Sequence, residues 1–131
     1  MAQAITPFLM FQGNAEAALR FYVSLIEDSE IISLSHYDET QPEAAGRVYQ
    51  AMFRLGQQMV RCIDSPVPHD FDFTPSFSFF IDCDSEEELT SLYNRLSEQG
   101  EVMMPLDDYG FSTRFAWVAD RFGVSWQLNL P

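Results

Sequence analysis

Ser85-Glu-Glu-Glu-Leu-Thr-Ser-Leu-Tyr93 follows the apolar run Ser76–Cys83, just as Asn14-Ala-Glu-Ala-Ala-Leu-Arg-Phe-Tyr22 follows the apolar run Ile5–Phe11. Each stretch couples a capping residue, an early acid and a closing hydrophobe-tyrosine, so one strand-to-helix unit occurs twice. Ser85 with Glu88 forms a capping-box pattern, and acids at the first turn suit the positive end of a helix. Leu89, Leu92, Tyr93 and Leu96 then recur at helical spacing, and Gly100 is placed to end this helix in a left-handed cap. In the first unit Asn14 is the expected cap, and Ala15, Ala18, Leu19, Tyr22 and Leu25 or Ile26 make the buried stripe.

The segments after each helix repeat as well. Ile31–Tyr37 reads as a strand, residues 38–46 as an exposed loop containing Pro42 and Gly46, and Arg47–Leu55 with Gln58–Ile63 as a hairpin turning at Gly56-Gln57. In the second half Glu101–Pro105 is a short strand and Leu106–Phe111 a loop. Ser112–Ala119 and Val124–Leu130 then form a hairpin around Asp120-Arg121-Phe122-Gly123. The expected fold is α+β: one domain over residues 1–131 made of two tandem βαβββ modules, about 4–64 and 75–131, joined by the proline-containing stretch 64–74. Two such modules can set curved mixed sheets around a cleft, with the helices on the outer faces.

Composition narrows the functions. With 131 residues, 47% hydrophobic and 15% aromatic, the chain has the material for a real core. Twenty acidic residues against seven basic ones leave a formal charge of −13, which repels nucleic acid and anionic membranes. All the basic residues are arginines, so no lysine can form a Schiff base or serve a P-loop. Cys62 and Cys83 are too few and too far apart for a thiolate zinc site or a disulfide framework, and both read as reduced core residues. The opening Met-Ala-Gln-Ala lacks a charged leader and no stretch is apolar enough to span a bilayer, so a cytoplasmic location is expected.

Alternation along the strands assigns faces. Ser76, Ser78, Phe80 and Asp82 share one face and Phe77, Phe79 and Ile81 the other. Ser125, Gln127 and Asn129 oppose Val124, Trp126 and Leu128. The polar faces are expected to line a ligand pocket, with Phe80, Leu9 and Phe11 as apolar walls. On the hairpin strands, Arg61 and Arg114 are candidates to offer guanidinium groups to a ligand carboxylate or phosphate; surface salt bridging in a very acidic protein is the competing reading. The ligand-binding set is thus Arg61, Ser78, Phe80, Arg114 and Gln127. His36 and His69 lack metal-pair spacing and are expected at the surface or a pocket rim. Asp107-Asp108 and the Glu86–Glu88 run read as solvated, and Asp120 as a turn residue accepting backbone N–H groups.

The opening Ile5-Thr-Pro-Phe-Leu-Met-Phe11, the helix segment Arg20-Phe-Tyr-Val-Ser24, the turn Leu55-Gly-Gln57 and above all Ala116-Trp-Val-Ala-Asp-Arg-Phe-Gly-Val-Ser-Trp-Gln127 resemble PhnB-like proteins of the vicinal oxygen chelate (glyoxalase/bleomycin-resistance) superfamily. The resemblance implies the two βαβββ modules, a concave pocket and a homodimer. It also brings the label 3-demethylubiquinone-9 3-methyltransferase. Methyl transfer is not expected, because none of the six glycines forms the G-x-G cluster a nucleotide-derived cofactor needs. The superfamily's metal enzymes take His, Gln or Glu ligands from the first and last strands of each half. Registered on the helix ends, those positions fall on Pro7, on Ser78 (Ser76 if slipped by two), near Val60 or Arg61, and on Gln127. Only Gln127 is a plausible ligand there, so no metal or other cofactor is expected.

Three functions compete. The first is a metal-free, non-catalytic small-molecule binder; the second is a metal-dependent glyoxalase- or dioxygenase-type enzyme; the third is a dimeric interaction module whose cleft is filled by some of its twelve phenylalanines.

Overall fold

The computed structural model describes residues 1–131, which divide into two compact units, Met1–Asp70 and Phe71–Pro131. The first unit runs β1 (Phe8–Phe11), α1 (Ala15–Leu25), β2 (Glu30–His36), β3 (Val48–Leu55) and β4 (Gln58–Asp64). The second runs β5 (Ser78–Asp82), α2 (Glu86–Ser97), β6 (Glu101–Asp107), β7 (Arg114–Ala119) and β8 (Ser125–Leu130). Each unit carries one four-stranded mixed sheet, ordered β1-β4-β3-β2 and β5-β8-β7-β6, in which only the β1–β4 and β5–β8 pairs are parallel. The α+β class and the two βαβββ modules stand as expected. No helix is long and apolar enough to cross a membrane.

In the first unit, α1 buries Ala15, Ala18, Leu19 and Tyr22 against the sheet, with the Tyr22 ring 6.4 Å from that of Phe53. Phe53, Val60 and Cys62 lie on the helix-covered face, each at most 1% exposed. Burying a side chain of this size contributes about 1.5–3 kcal/mol. Asn14 does occupy the N-cap position, but its side chain makes no capping bond. That role passes to Asp64 at the end of β4, whose Oδ1 accepts the N–H groups of Gly13 (2.8 Å) and Ala15 (3.0 Å) while Oδ2 accepts that of Val48 (2.9 Å). A carboxylate distant in sequence satisfies the orphan donors that a local cap would otherwise take.

The first strand corrects a register. Ladder pairing starts at Phe8, since Pro7 has no N–H to give and contributes only its carbonyl, which accepts from the Arg61 N–H. Leu9 and Phe11 are buried beside Cys62 and Asp64, whereas Phe8 is exposed and Met10 half-buried. Leu9 and Phe11 are therefore core residues, not walls of a ligand surface, and Pro7 has the wrong parity for a first-strand ligand. Registration on the helix ends slips half one by a residue, and a one-residue slip exchanges the faces of a strand.

In the second unit, Leu89, Leu92 and Leu96 of α2 pack onto the face formed by Trp126, Leu128, Ala116 and Val118. Ser85 Oγ accepts the Glu88 N–H at 3.1 Å, as the capping box requires, while the Glu88 carboxylate takes the N–H of Asp84 instead of that of Ser85. Gly100 is not the left-handed residue after α2. Gln99 adopts that conformation at φ 60°, and Gly100 is needed for another reason: a Cβ there would sit 2.2 Å from the Ala119 carbonyl oxygen. The end of α2 and the start of β6 thus press directly on the end of β7. At the β7–β8 turn, buried Asp120 accepts N–H groups from Phe122 and Val124 through Oδ1 and the Trp126 indole N–H through Oδ2. This fixes the hairpin register, which pairs Ala119 with Ser125 and Trp117 with Gln127.

Candidate functional site

The helix covers one face of each sheet, and the other face carries the candidate chemistry. On the second sheet the pairings β5–β8, β8–β7 and β7–β6 lay side chains out in rows. One row is Ser78, Ser125, Ala119 and Glu101; the next is Phe80, Gln127, Trp117 and Met104; the third is Asp82, Asn129, Phe115 and Asp107. Adjacent strands are about 4.8 Å apart, so neighbours in a row touch. Gln127 therefore lies between Phe80 and Trp117.

A hydrogen-bonded chain ties these rows together. The Trp117 indole Nε1–H donates to Ser125 Oγ (2.8 Å), Ser125 and Ser78 hydroxyls meet at 2.6 Å, and Gln127 Nε2–H donates to Ser78 Oγ (3.3 Å). Ser125 is buried at 1% exposure, while Ser78, Trp117 and Gln127 are half-buried. Beside the chain stands an aromatic group: Phe115 is buried beneath Phe80, Tyr109 and Phe111, with centroid separations of 6.4, 6.2 and 4.9 Å. Phe80 and Phe111 remain 55% and 61% exposed, which leaves an apolar surface next to half-buried polar groups. At the far side Asn129 Nδ2–H donates to Asp82 Oδ1 at 2.9 Å.

Of the residues singled out from the sequence, Ser78, Phe80 and Gln127 come together on this face. Arg61 lies on the open face of the first sheet, paired with Phe8 and Met52, and is exposed. Val60, its alternative, is buried under α1. Arg114 is a correction. It pairs with Leu130 on the helix-covered face, where its Nε is buried without a hydrogen bond and lies 3.8 Å from Glu86 Oε1 at the first turn of α2. The alternation that buries Ala116 and Val118 puts Arg114 on their side. Ser125 lies on the polar face that alternation assigns to the pocket, whereas Trp117 and Phe115 were missed, although the same alternation, with the register set by the Asp120 turn, places Trp117 beside Gln127.

The other candidates serve structure. His36 is exposed and contacts Glu16 at 2.6 Å; that hydrogen bond, with a second from Arg20, holds the Glu16 carboxyl below its ordinary range. His69 Nε2 lies 2.8 Å from Ser65 Oγ, on a loop bordering a hollow of about 350 Å³ lined by Gln12, Glu43, Arg47 and Ser65–Pro68. Ser65 Oγ is bonded to Val67 as well, so this pair shapes the loop. Ser76 lies in the turn before β5, where its hydroxyl meets that of Thr74. Burial pushes the Cys62 and Cys83 thiols up to about 12, and both are free and inert.

A divalent cation of the superfamily type does not fit the donors on the second sheet. Ser78 and Ser125 offer neutral hydroxyls already bonded to each other, Gln127 offers one amide oxygen, and the three carboxylates of the rows stand on the edge strands, Asp82 held by Asn129 on one edge and Glu101 and Asp107 on the other. No three His, Cys, Asp or Glu side chains gather anywhere in a metal-binding group.

Comparison with known proteins agrees with this architecture. A PhnB protein from Bacillus cereus is 49% identical over 98% of this chain and 100% of its own, with a TM-score of 0.95. Protein YjdN of Escherichia coli K12 is 23% identical across 96% of this chain and 94% of its own. A glyoxalase/bleomycin resistance protein/dioxygenase domain from Frankia shares the fold at a TM-score of 0.65 and 14% identity, covering 99% of this chain and 98% of its own. The model of the 3-demethylubiquinone-9 3-methyltransferase family matches residues 3–129, and the chain belongs to that PhnB-like family.

Proposed function

We propose that this chain is a metal-independent small-molecule-binding protein whose ligand lies on the open face of the second sheet. One observation carries the reading: the half-buried chain Trp117–Ser125–Ser78–Gln127 runs beside the exposed aromatic surface of Phe80 and Phe111. Half-buried polar groups with unused bonding capacity beside exposed rings are what a small ligand needs for orientation and contact area. The donor set supports a ligand bound without a metal. Methyl transfer gains no support from either strand-to-helix turn. In the first the N–H groups of Gly13 and Ala15 go to Asp64, and in the second that of Asp84 goes to Glu88 and that of Glu88 to Ser85, so these amides are already engaged within the chain.

The test is a titration of isotope-labelled protein with small aromatic compounds, in chelator and then with added manganese, zinc, nickel or iron. Saturable shifts of the Ser78, Gln127 and Trp117 signals in chelator are the expected result. Binding that requires one ion per chain would favour the metalloenzyme. A face that no compound reaches would favour an interaction module.

A further inference from the structure

The directions of the hydrogen bonds on this face define what it can recognise. An indole nitrogen can only donate, so Trp117 uses one lone pair of Ser125 Oγ. Ser125 is buried, and the one acceptor its hydroxyl proton meets is Ser78 Oγ, at 2.6 Å. A buried hydroxyl proton left without an acceptor is costly, so Ser125 donates to Ser78. Gln127 Nε2 donates to the same oxygen. With both lone pairs of Ser78 Oγ taken, its own proton turns away from Ser125 and Gln127, toward the open side. Gln127 is left with its carbonyl oxygen and its second N–H.

Extending the binding reading above, on which it rests, we infer that this face takes a neutral aromatic molecule whose polar end sets a hydrogen-bond acceptor beside a donor, as a carboxamide does. The ligand carbonyl accepts from the Ser78 hydroxyl and its N–H donates to Gln127 Oε1. The ring lies against Phe80 and Trp117, the two side chains flanking Gln127 in its row. A carboxylate or phosphate offers acceptors only and would set negative charge against Gln127 Oε1. No cation on this face compensates it. Arg114 lies on the helix-covered side with Glu86, Asp82 shares the open face, and the chain carries a formal charge of −13.

The experiment titrates the full chain with benzamide, benzoate, phenylphosphonate and toluene in chelator, following the Gln127 side-chain amide, the Ser78 backbone amide and the Trp117 indole N–H by NMR. Benzamide is expected to bind about tenfold or more tighter than benzoate or phenylphosphonate. In Gln127→Met, which keeps the size of a half-exposed side chain, that preference should disappear, as read from the Ser78 and Trp117 signals. Benzoate or phenylphosphonate binding as tightly as benzamide would overturn the ligand class and leave the binding reading intact. An unchanged preference in Gln127→Met would overturn the assigned contact. No shift at these residues with any of the four compounds would overturn both the ligand class and the binding reading.

Discussion

The Trp126 indole N–H donates to Asp120 Oδ2 at 2.9 Å while the other oxygen of the same carboxylate holds the N–H groups of Phe122 and Val124. One buried side chain thus closes the β7–β8 turn and anchors the largest fully buried residue of the second unit. Asp120→Ala leaves three donors unsatisfied and should destabilise the protein by about 3 kcal/mol or more. Asp120→Asn, which keeps one oxygen but faces Trp126 with an N–H group, should fall between the two. Urea denaturation followed by tryptophan fluorescence measures both; a loss below about 0.5 kcal/mol for Asp120→Ala would show that the turn does not depend on this carboxylate.

Gly100→Ala places a methyl group 2.2 Å from the Ala119 carbonyl oxygen, a backbone atom that cannot swing aside. The expected cost is about 1–3 kcal/mol, read as a lowered Tm. An unchanged Tm would mean that the α2–β6 connection relaxes freely.

Ser85→Ala removes the acceptor for the Glu88 N–H and should cost about 1 kcal/mol, whereas Asn14→Ala should cost much less, because Asp64 already satisfies the start of α1. Equal losses in thermal melts of the two variants would contradict this division of labour.

Burial raises both cysteine thiols from about 9 to about 12, so the folded protein holds these protons after the unfolded chain has released them. Their contribution to stability is complete below pH 9 and is lost as the pH rises through about 12. Denaturation midpoints should therefore fall with pH above 9, and Cys62→Ala should flatten that slope. A thiol reagent at pH 8 should label neither cysteine until denaturant is added; rapid labelling of the native protein would count against the burial described.

The repeated strand-to-helix unit was legible because capping residues, helical stripes and alternating strands are local patterns, and Ser85, Leu89 and Trp126 behave as those patterns require. The long-range interactions were not. Nothing near Asn14 says that Asp64 will take over its cap, and nothing near Gly100 reveals the Ala119 carbonyl. Ser78, Phe80 and Gln127 were found by alternation on strands with clear two-residue periodicity. Leu9 and Phe11 turn to the core instead, because Ile5–Phe11 is apolar at nearly every position and shows no alternation that could tell its two faces apart; only the pairing with Cys62 and Asp64 does. Arg114 was misplaced because its chemistry was allowed to outweigh the parity shared with Ala116 and Val118.

Asp64 gives the first unit a temporal order. During synthesis from the N-terminus, the β1–α1 turn leaves the ribosome well before the carboxylate that will bind its amides, so this turn is secured only after the whole βαβββ chain has emerged. The contact then acts as a latch closed late, not as a seed. Asp64→Asn should consequently speed unfolding while barely changing the refolding rate, as stopped-flow kinetics would show. The first unit owes its persistence once assembled, more than its speed of assembly, to the last residue of its last strand.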